Sequence, residues 1–142
     1  MTPHPLLRVA RPTLRLDEIA AQYRAAFGFE ELGRFVMDDA PIRGVMLGHP
    51  EHAYHLEFTQ HAGATPPPSP SPDQLLVFYV PEARARADAM ERCLAAGLRV
   101  VPSSNPYWDE VGSTYEDLEG HRVVICSRDW RALEARNREA RD

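Results

Sequence analysis

The sequence predicts an α+β protein made of two tandem βαβββ units, and three observations carry that expectation. Helical and strand-like apolar patterns run in the same order twice, a proline-rich stretch divides the two runs, and glycines recur at a near-constant offset. Gly97 follows Gly28 by 69 positions, Gly112 follows Gly44 by 68, and Val123 follows Leu56 by 67. Three strands and one helix bury too little apolar area to stand alone, so the two units are expected to share one curved mixed sheet and one core.

The first unit, about residues 5–61, opens with a strand near Leu6 to Thr13. Ile19, Ala20, Tyr23, Ala26 and Phe27 then fall on one face at helical spacing, which predicts a helix from Leu16 to Phe27 that stops at Gly28. Strands are expected near Glu30 to Val36, Gly44 to Leu47 and Ala53 to His61. From Ala62 to Gln74, five prolines (Pro66, Pro67, Pro68, Pro70 and Pro72) among Ser and Thr permit neither helix nor ladder, which predicts an extended linker.

The second unit, about residues 75–127, repeats the order. A strand from Leu75 to Val80 precedes a helix with Pro81 in its first turn, Ala83, Ala87, Met90 and Leu94 on its apolar stripe, and Gly97 as its stop. Strands at Leu98 to Val101, Ser113 to Asp117 and His121 to Cys126 follow, the last two joined by a turn at Glu119-Gly120. Tyr107 and Trp108 fall in the long loop before them. Residues 128–142 read as a polar helix anchored by Trp130 and Leu133, the end of a single 142-residue domain.

Composition narrows the function classes. With 44% hydrophobic and 26% charged residues, the chain can bury one core without a disulfide or metal staple. Its net charge of −5, with sixteen basic residues that are all Arg and no basic stripe outside the C-terminal tail, argues against nucleic acid or an anionic membrane, which require clustered positive charge. Cys93 and Cys126, far apart and in a helix and a strand, read as buried reduced thiols of a cytoplasmic protein. No apolar run approaches a membrane span.

The chain's most polar strand is Tyr54-His55-Leu56-Glu57-Phe58-Thr59-Gln60-His61. Alternation sends Leu56 and Phe58 to the helix side and His55, Glu57, Thr59 and His61 to the other. A carboxylate on such a face, with an imidazole beside it, is a candidate general base; a solvated polar face with no chemistry is the plain alternative. Two imidazoles and a carboxylate also make His55, Glu57 and His61 a candidate metal set, which the spacing weakens: neighbours two apart can converge on one ion, but residues 55 to 61 span about 20 Å along a strand. In the second unit the corresponding face carries Leu75, Val77, Tyr79, Arg122, Val124 and Cys126. A polar wall beside an apolar one is the profile of a small-molecule cleft.

The strings Leu16-Asp17-Glu18-Ile19, Gly28-Phe29-Glu30, Asn105-Pro106-Tyr107-Trp108 and Glu116-Asp117-Leu118-Glu119-Gly120-His121-Arg122, in this paired order, resemble the vicinal oxygen chelate superfamily of glyoxalases, bleomycin-resistance proteins and extradiol dioxygenases. That resemblance implies an open barrel with the helices outside, and metal ligands on the first and last strand of each unit. Carried over, those positions are Arg8 (or Ala10 if the register slips), Glu57, Leu75 and Val124. Only Glu57 is a metal donor, so the expectation is a protein without the family's metal site or any other cofactor, although a divalent ion through Glu57 is conceivable.

The function expected is therefore binding of a small organic molecule in the concave sheet, with Glu57 as the catalytic candidate and Arg8, His55, Thr59, Tyr79, Tyr107, Trp108 and Arg122 as ligand contacts. The alternative is a glyoxalase-type lyase or isomerase, in which Glu57 is the base or a metal ligand and Arg8 or Arg122 stabilises an enolate. The resemblance also implies a homodimer. The linker is long enough for the units to pair within one chain or between two, and no nucleic acid or membrane partner is expected.

Overall fold

A computed structural model describes residues 5–39, 41–63, 70–132 and 139. The chain divides into two compact units, Met1–Ser69 and Pro70–Asp142. In the first, strand β1 (Leu7–Pro12) leads into helix α1 (Leu16–Phe27) and strands β2 (Glu30–Met37), β3 (Ile42–Gly48) and β4 (Tyr54–His61). In the second, β5 (Leu75–Tyr79), α2 (Ala83–Ala95), β6 (Arg99–Val101), α3 (Pro106–Val111), β7 (Gly112–Glu116) and β8 (Arg122–Cys126) follow.

Both units form the same four-stranded mixed sheet. The order is β1-β4-β3-β2 in one and β5-β8-β7-β6 in the other, with the first and last strands of each unit parallel and the other pairs antiparallel. The expected α+β class and repeated strand order are therefore observed, and the ladder bonds divide the strands into two sheets. The registers also match residue for residue. Val9 pairs Leu56 and Leu76 pairs Val123, while Gly44 pairs Thr59 and Gly112 pairs Cys126. A shift of 67 positions carries the β1–β4 pairs onto the β5–β8 pairs, as a duplicated unit requires.

Helix α1 forms where the spacing predicts it. Ile19, Ala20, Tyr23 and Ala26 are buried against the sheet, Tyr23 meets the Phe58 ring at 5.1 Å, and Gly28 at φ 67° closes the helix with its N–H on Arg24 O. Its N-terminus lacks a side-chain cap from Arg15; the first-turn amide of the buried Leu16 instead donates to Gln60 Oε1 of β4 at 3.1 Å. Gln60 Nε2 also donates to Leu14 O, tying the helix entry to the sheet.

Helix α2 differs from expectation in two ways. It begins at Ala83 after an N-cap at Glu82, whose carboxylate accepts from Arg84 N and Ala85 N, so Pro81 precedes the helix. Its buried residues are Ala89 and Cys93, whereas Ala83, Ala87 and Leu94 are exposed and Met90 is half-buried. An alanine-rich helix carries so little hydrophobic contrast that a stripe rotated by one position reads as well. The expected loop at Tyr107 and Trp108 is the helix α3, with Asn105 Oδ1 accepting from Tyr107 N and Pro106 in the first turn.

Strand β3 is longer than the expected Gly44 to Leu47. The turn between β7 and β8 is held by Asp117 Oδ1, which accepts from Glu119 N and His121 N, with Gly120 at φ 86°. Cys93 and Cys126 are free and buried, as expected. No helix among the described residues is long and apolar enough to cross a membrane. Of the linker, residues 64–69 with Pro66, Pro67 and Pro68 lie outside the described residues. So do 133–138 and 140–142 of the expected C-terminal helix, Leu133 included; Trp130 to Ala132 are helical.

Candidate functional site

Alternation along β4 works as the sequence predicts. Leu56 and Phe58 are buried on the α1 side, and His55, Glu57 and Thr59 are half-buried on the opposite face. The parallel register of β1 sets Arg8 beside His55 on that same face. Arg8 Nε donates to His55 Nε2 at 2.9 Å, and Arg8 Nη1 donates to Glu57 Oε2 at 3.0 Å. One guanidinium thus holds both side chains, and its bond to Nε2 keeps the neutral imidazole's proton on Nδ1. The Glu57 side chain is 12% exposed and that of Arg8 50%, so the carboxylate lies in the wall and the cation faces outward.

Thr59 lies one alternation further along the same face, opposite Gly44. His61 is exposed at the strand end, opposite Ile42. Beyond this polar row the face turns apolar. Met46 pairs Glu57 on one side and Gly33 on the other, and Phe35 pairs Gly44. A Cβ on Gly44 would fall 2.2 Å from Phe35 Cε1, and one on Gly33 would fall 2.7 Å from Met46 Cε. The ring edge and the thioether methyl therefore occupy the space that a side chain at either glycine would take. Sequence reading missed Phe35 and Met46, although a glycine inside each of two adjacent strands is the signal of such a close approach.

In the second unit the corresponding face is apolar. Val111, Val124 and Cys126 form a buried cluster against which Leu75, Val77 and Trp108 pack. Trp108 thus fills the underside of α3, while Tyr107, its ring 5.0 Å away, is exposed. Tyr79 ends β5; burial, then its neighbours Cys126 and Tyr107, push its phenol above the usual range. Arg122 is engaged, with Nε and Nη2 donating to Glu116 Oε1 and Nη1 to Pro102 O. Arg99 shares Glu116 through the other carboxylate oxygen. The structure therefore brings Arg8, His55, Glu57 and Thr59 together in one unit and Tyr79, Tyr107 and Trp108 in the other, with Arg122 on the sheet face of the latter.

Two family models match the chain: the YycE-like N-terminal domain over residues 7–59 and the YycE-like C-terminal domain over residues 73–127. The protein YycE of Bacillus subtilis is 44% identical over 121 residues, which is 85% of this chain and 86% of the relative. The chain belongs to the YycE-like family. The crystal structure of the Bacillus subtilis YycE matches with a TM-score of 0.79 at 42% identity, covering 87% of this chain and 90% of that one. A trypanothione-dependent glyoxalase I of Leishmania major matches this YycE-like chain with a TM-score of 0.73 at 13% identity, covering 98% and 97%. The fosfomycin resistance protein FosX of Mesorhizobium loti gives 0.68 at 12%, covering 94% and 99%. The fold is that of the vicinal oxygen chelate superfamily.

The positions onto which the resemblance carries the superfamily's ligands are Arg8 (or Ala10), Glu57, Leu75 and Val124. The 67-position register shift makes Leu75 the counterpart of Arg8 and Val124 that of Glu57. This set does not fit a divalent ion. Two members are hydrocarbon, one is a fixed cation, and the one carboxylate already accepts from that cation. Among the described residues no group of three His, Cys, Asp or Glu side chains converges as a metal site.

Proposed function

We propose that this glyoxalase-like protein binds a small organic molecule on the Arg8–His55–Glu57 face of its first sheet, without a metal ion, and that the Arg8 guanidinium supplies the positive charge that a metal supplies in the superfamily's metal enzymes. The observation that carries this reading is the double hydrogen bond from Arg8 to His55 Nε2 and Glu57 Oε2. A metal bound through either side chain must first displace that guanidinium, and the ion would then sit beside a charge that cannot be deprotonated. Arg8 Nη2 has no partner among the described residues, so this half-exposed cation retains a donor edge for a ligand acceptor.

The same pairing weighs against the glyoxalase-type reading. Glu57 Oε2 already accepts from Arg8 Nη1, so a substrate proton would have to compete with that hydrogen bond for the same oxygen. Glu57 in this reading orients Arg8 rather than abstracting a proton. The support for a binding role is the mixture on one face: a charged row on β1 and β4 beside Met46 and Phe35 on β3 and β2. A two-fold homodimer is the assembly this reading adopts, supported by the exposed rings of Tyr107 and Trp130.

The test is native mass spectrometry of protein purified without denaturation, with extraction of any retained small molecule. A stoichiometric organic ligand that is lost in Arg8→Gln but retained in Arg122→Gln is the expected result. Retention in both variants, or turnover of α-keto acids or thiol adducts that Glu57→Gln abolishes, overturns it.

A further inference from the structure

Resting on the reading that the β1–β4 face binds a ligand, we infer the chemical class of that ligand: a flat aromatic molecule carrying one carboxylate, its ring on Phe35 and Met46 and its anionic end on Arg8. The close approach of Phe35 to Gly44 is the starting point. The ring lies where a Cβ on Gly44 would be, with Cε1 and Cζ 2.2 and 2.4 Å from that position. Met46 Cε lies over Gly33 in the same way, at 2.7 Å. Any other residue at either glycine would push these side chains off the sheet, so the pair of glycines recesses the apolar half of the face.

The register gives the dimensions. Phe35 lies over Gly44, which pairs Thr59; Glu57, which holds Arg8, is two residues along β4 from Thr59. Two residues along a strand and one strand across put the Glu57 backbone about 8 Å from Gly44, with Met46, opposite Glu57, between them; the guanidinium, reaching in from β1, lies on the far side of the Glu57 carboxylate from the ring. A span of that order calls for a two-ring rather than a one-ring aromatic acid. A ring laid on Phe35 gains face or edge contact, and on Met46 a sulfur contact. A carboxylate at the outer edge of Arg8 makes an ion pair in which donor and acceptor are both charged, whereas the amide of the same shape offers only a neutral acceptor. Glu57, acceptor-only and turned toward Arg8, disfavours a second anionic group at that end, so the class is a monoanion.

The experiment titrates the full-length protein with 2-naphthoate, 2-naphthamide and acetate by calorimetry, and maps backbone amide shifts with the first two. The expected result is one 2-naphthoate site, at least tenfold weaker binding of 2-naphthamide, and no saturable binding of acetate. Arg8→Gln should abolish the preference for the acid, whereas Phe35→Ala should weaken both naphthyl compounds about equally and keep the preference. Circular dichroism of each variant confirms its fold.

Equal affinity for acid and amide, no binding of either, or an unchanged affinity in Phe35→Ala overturns the aromatic-acid assignment. If the naphthyl compounds fail while a co-purified molecule shifts the amides of Arg8, His55 and Glu57, the aromatic-acid class is wrong and the binding face stands. If every ligand found shifts only residues of the second unit, both are wrong.

Discussion

Arg8 holds two side chains of a neighbouring strand at once, and the energetic consequence follows from its exposure. With the guanidinium half exposed and the carboxylate mostly covered, the pair lies between a surface bridge and a buried one. A double-mutant cycle of Arg8→Ala and Glu57→Ala, read by urea denaturation, is expected to give a coupling of about 1 kcal/mol. Additive single effects would mean that the contact contributes nothing. Cys93 carries a second residue-scale prediction. Burial pushes its thiol up to about 11 against the ordinary 9, so the folded protein holds that proton where the unfolded chain releases it.

The Cys93 contribution is therefore fully present below pH 9 and is lost as pH rises toward 11, about 3 kcal/mol in all. Burial also raises the phenols of Tyr54 and Tyr115, which add to the same alkaline loss. Cys93→Ala should cost about 1 kcal/mol at pH 7 through lost packing and should flatten the fall in stability between pH 9 and 11. An unchanged alkaline slope in that variant would contradict the buried-thiol assignment.

At the scale of elements, helix α1 takes its N-terminal cap from another strand. Gln60 accepts from Leu16 N and from Arg43 Nη2 and donates to Leu14 O, so Gln60→Ala removes one partner from each of three groups. A loss of about 1 kcal/mol is expected, with faster amide exchange confined to the first turn of α1. Global loss of protection would place Gln60 in the core instead. This long-range cap has no local sequence pattern, unlike α1 itself, whose period and Gly28 stop are plain in the sequence. The polar face of β4 was equally legible, because period-two alternation needs no tertiary knowledge.

Other elements were less so. Helix α3 hid behind a proline, although Asn105 before Pro106 is the pattern of a cap followed by a first helical position. The α2 stripe was misplaced because Ala83, Ala87 and Ala89 differ little in apolarity, and tertiary packing chooses among them. Gly33 and Gly44 signalled a close approach, but which side chains cross them depends on the β2–β3 register. That register shifts between Glu31 and Gly33 and is not written in either strand alone.

At the scale of the whole molecule, the 67-position shift that relates the β1–β4 and β5–β8 registers explains why one sheet face is charged and the other greasy. Duplicated positions have diverged in pairs: Arg8 against Leu75, His55 against Arg122, Glu57 against Val124, and Thr59 against Cys126. One copy carries polar groups on this face, and the other packs against Trp108 and Val111. Light scattering at micromolar concentration is expected to give a mass near twice the 16.0 kDa of the chain. A mass near 16.0 kDa would refute the dimer.

The proposed metal-free reading of the Arg8 site is tested most directly by titrating chelator-treated protein with Ni²⁺, Mn²⁺ and Fe²⁺, using calorimetry with elemental analysis of the dialysed product. The expected result is weak, non-stoichiometric uptake that Glu57→Gln leaves unchanged. A tight one-to-one complex that disappears in Glu57→Gln would show that the guanidinium yields its place to an ion, and would contradict the metal-free site.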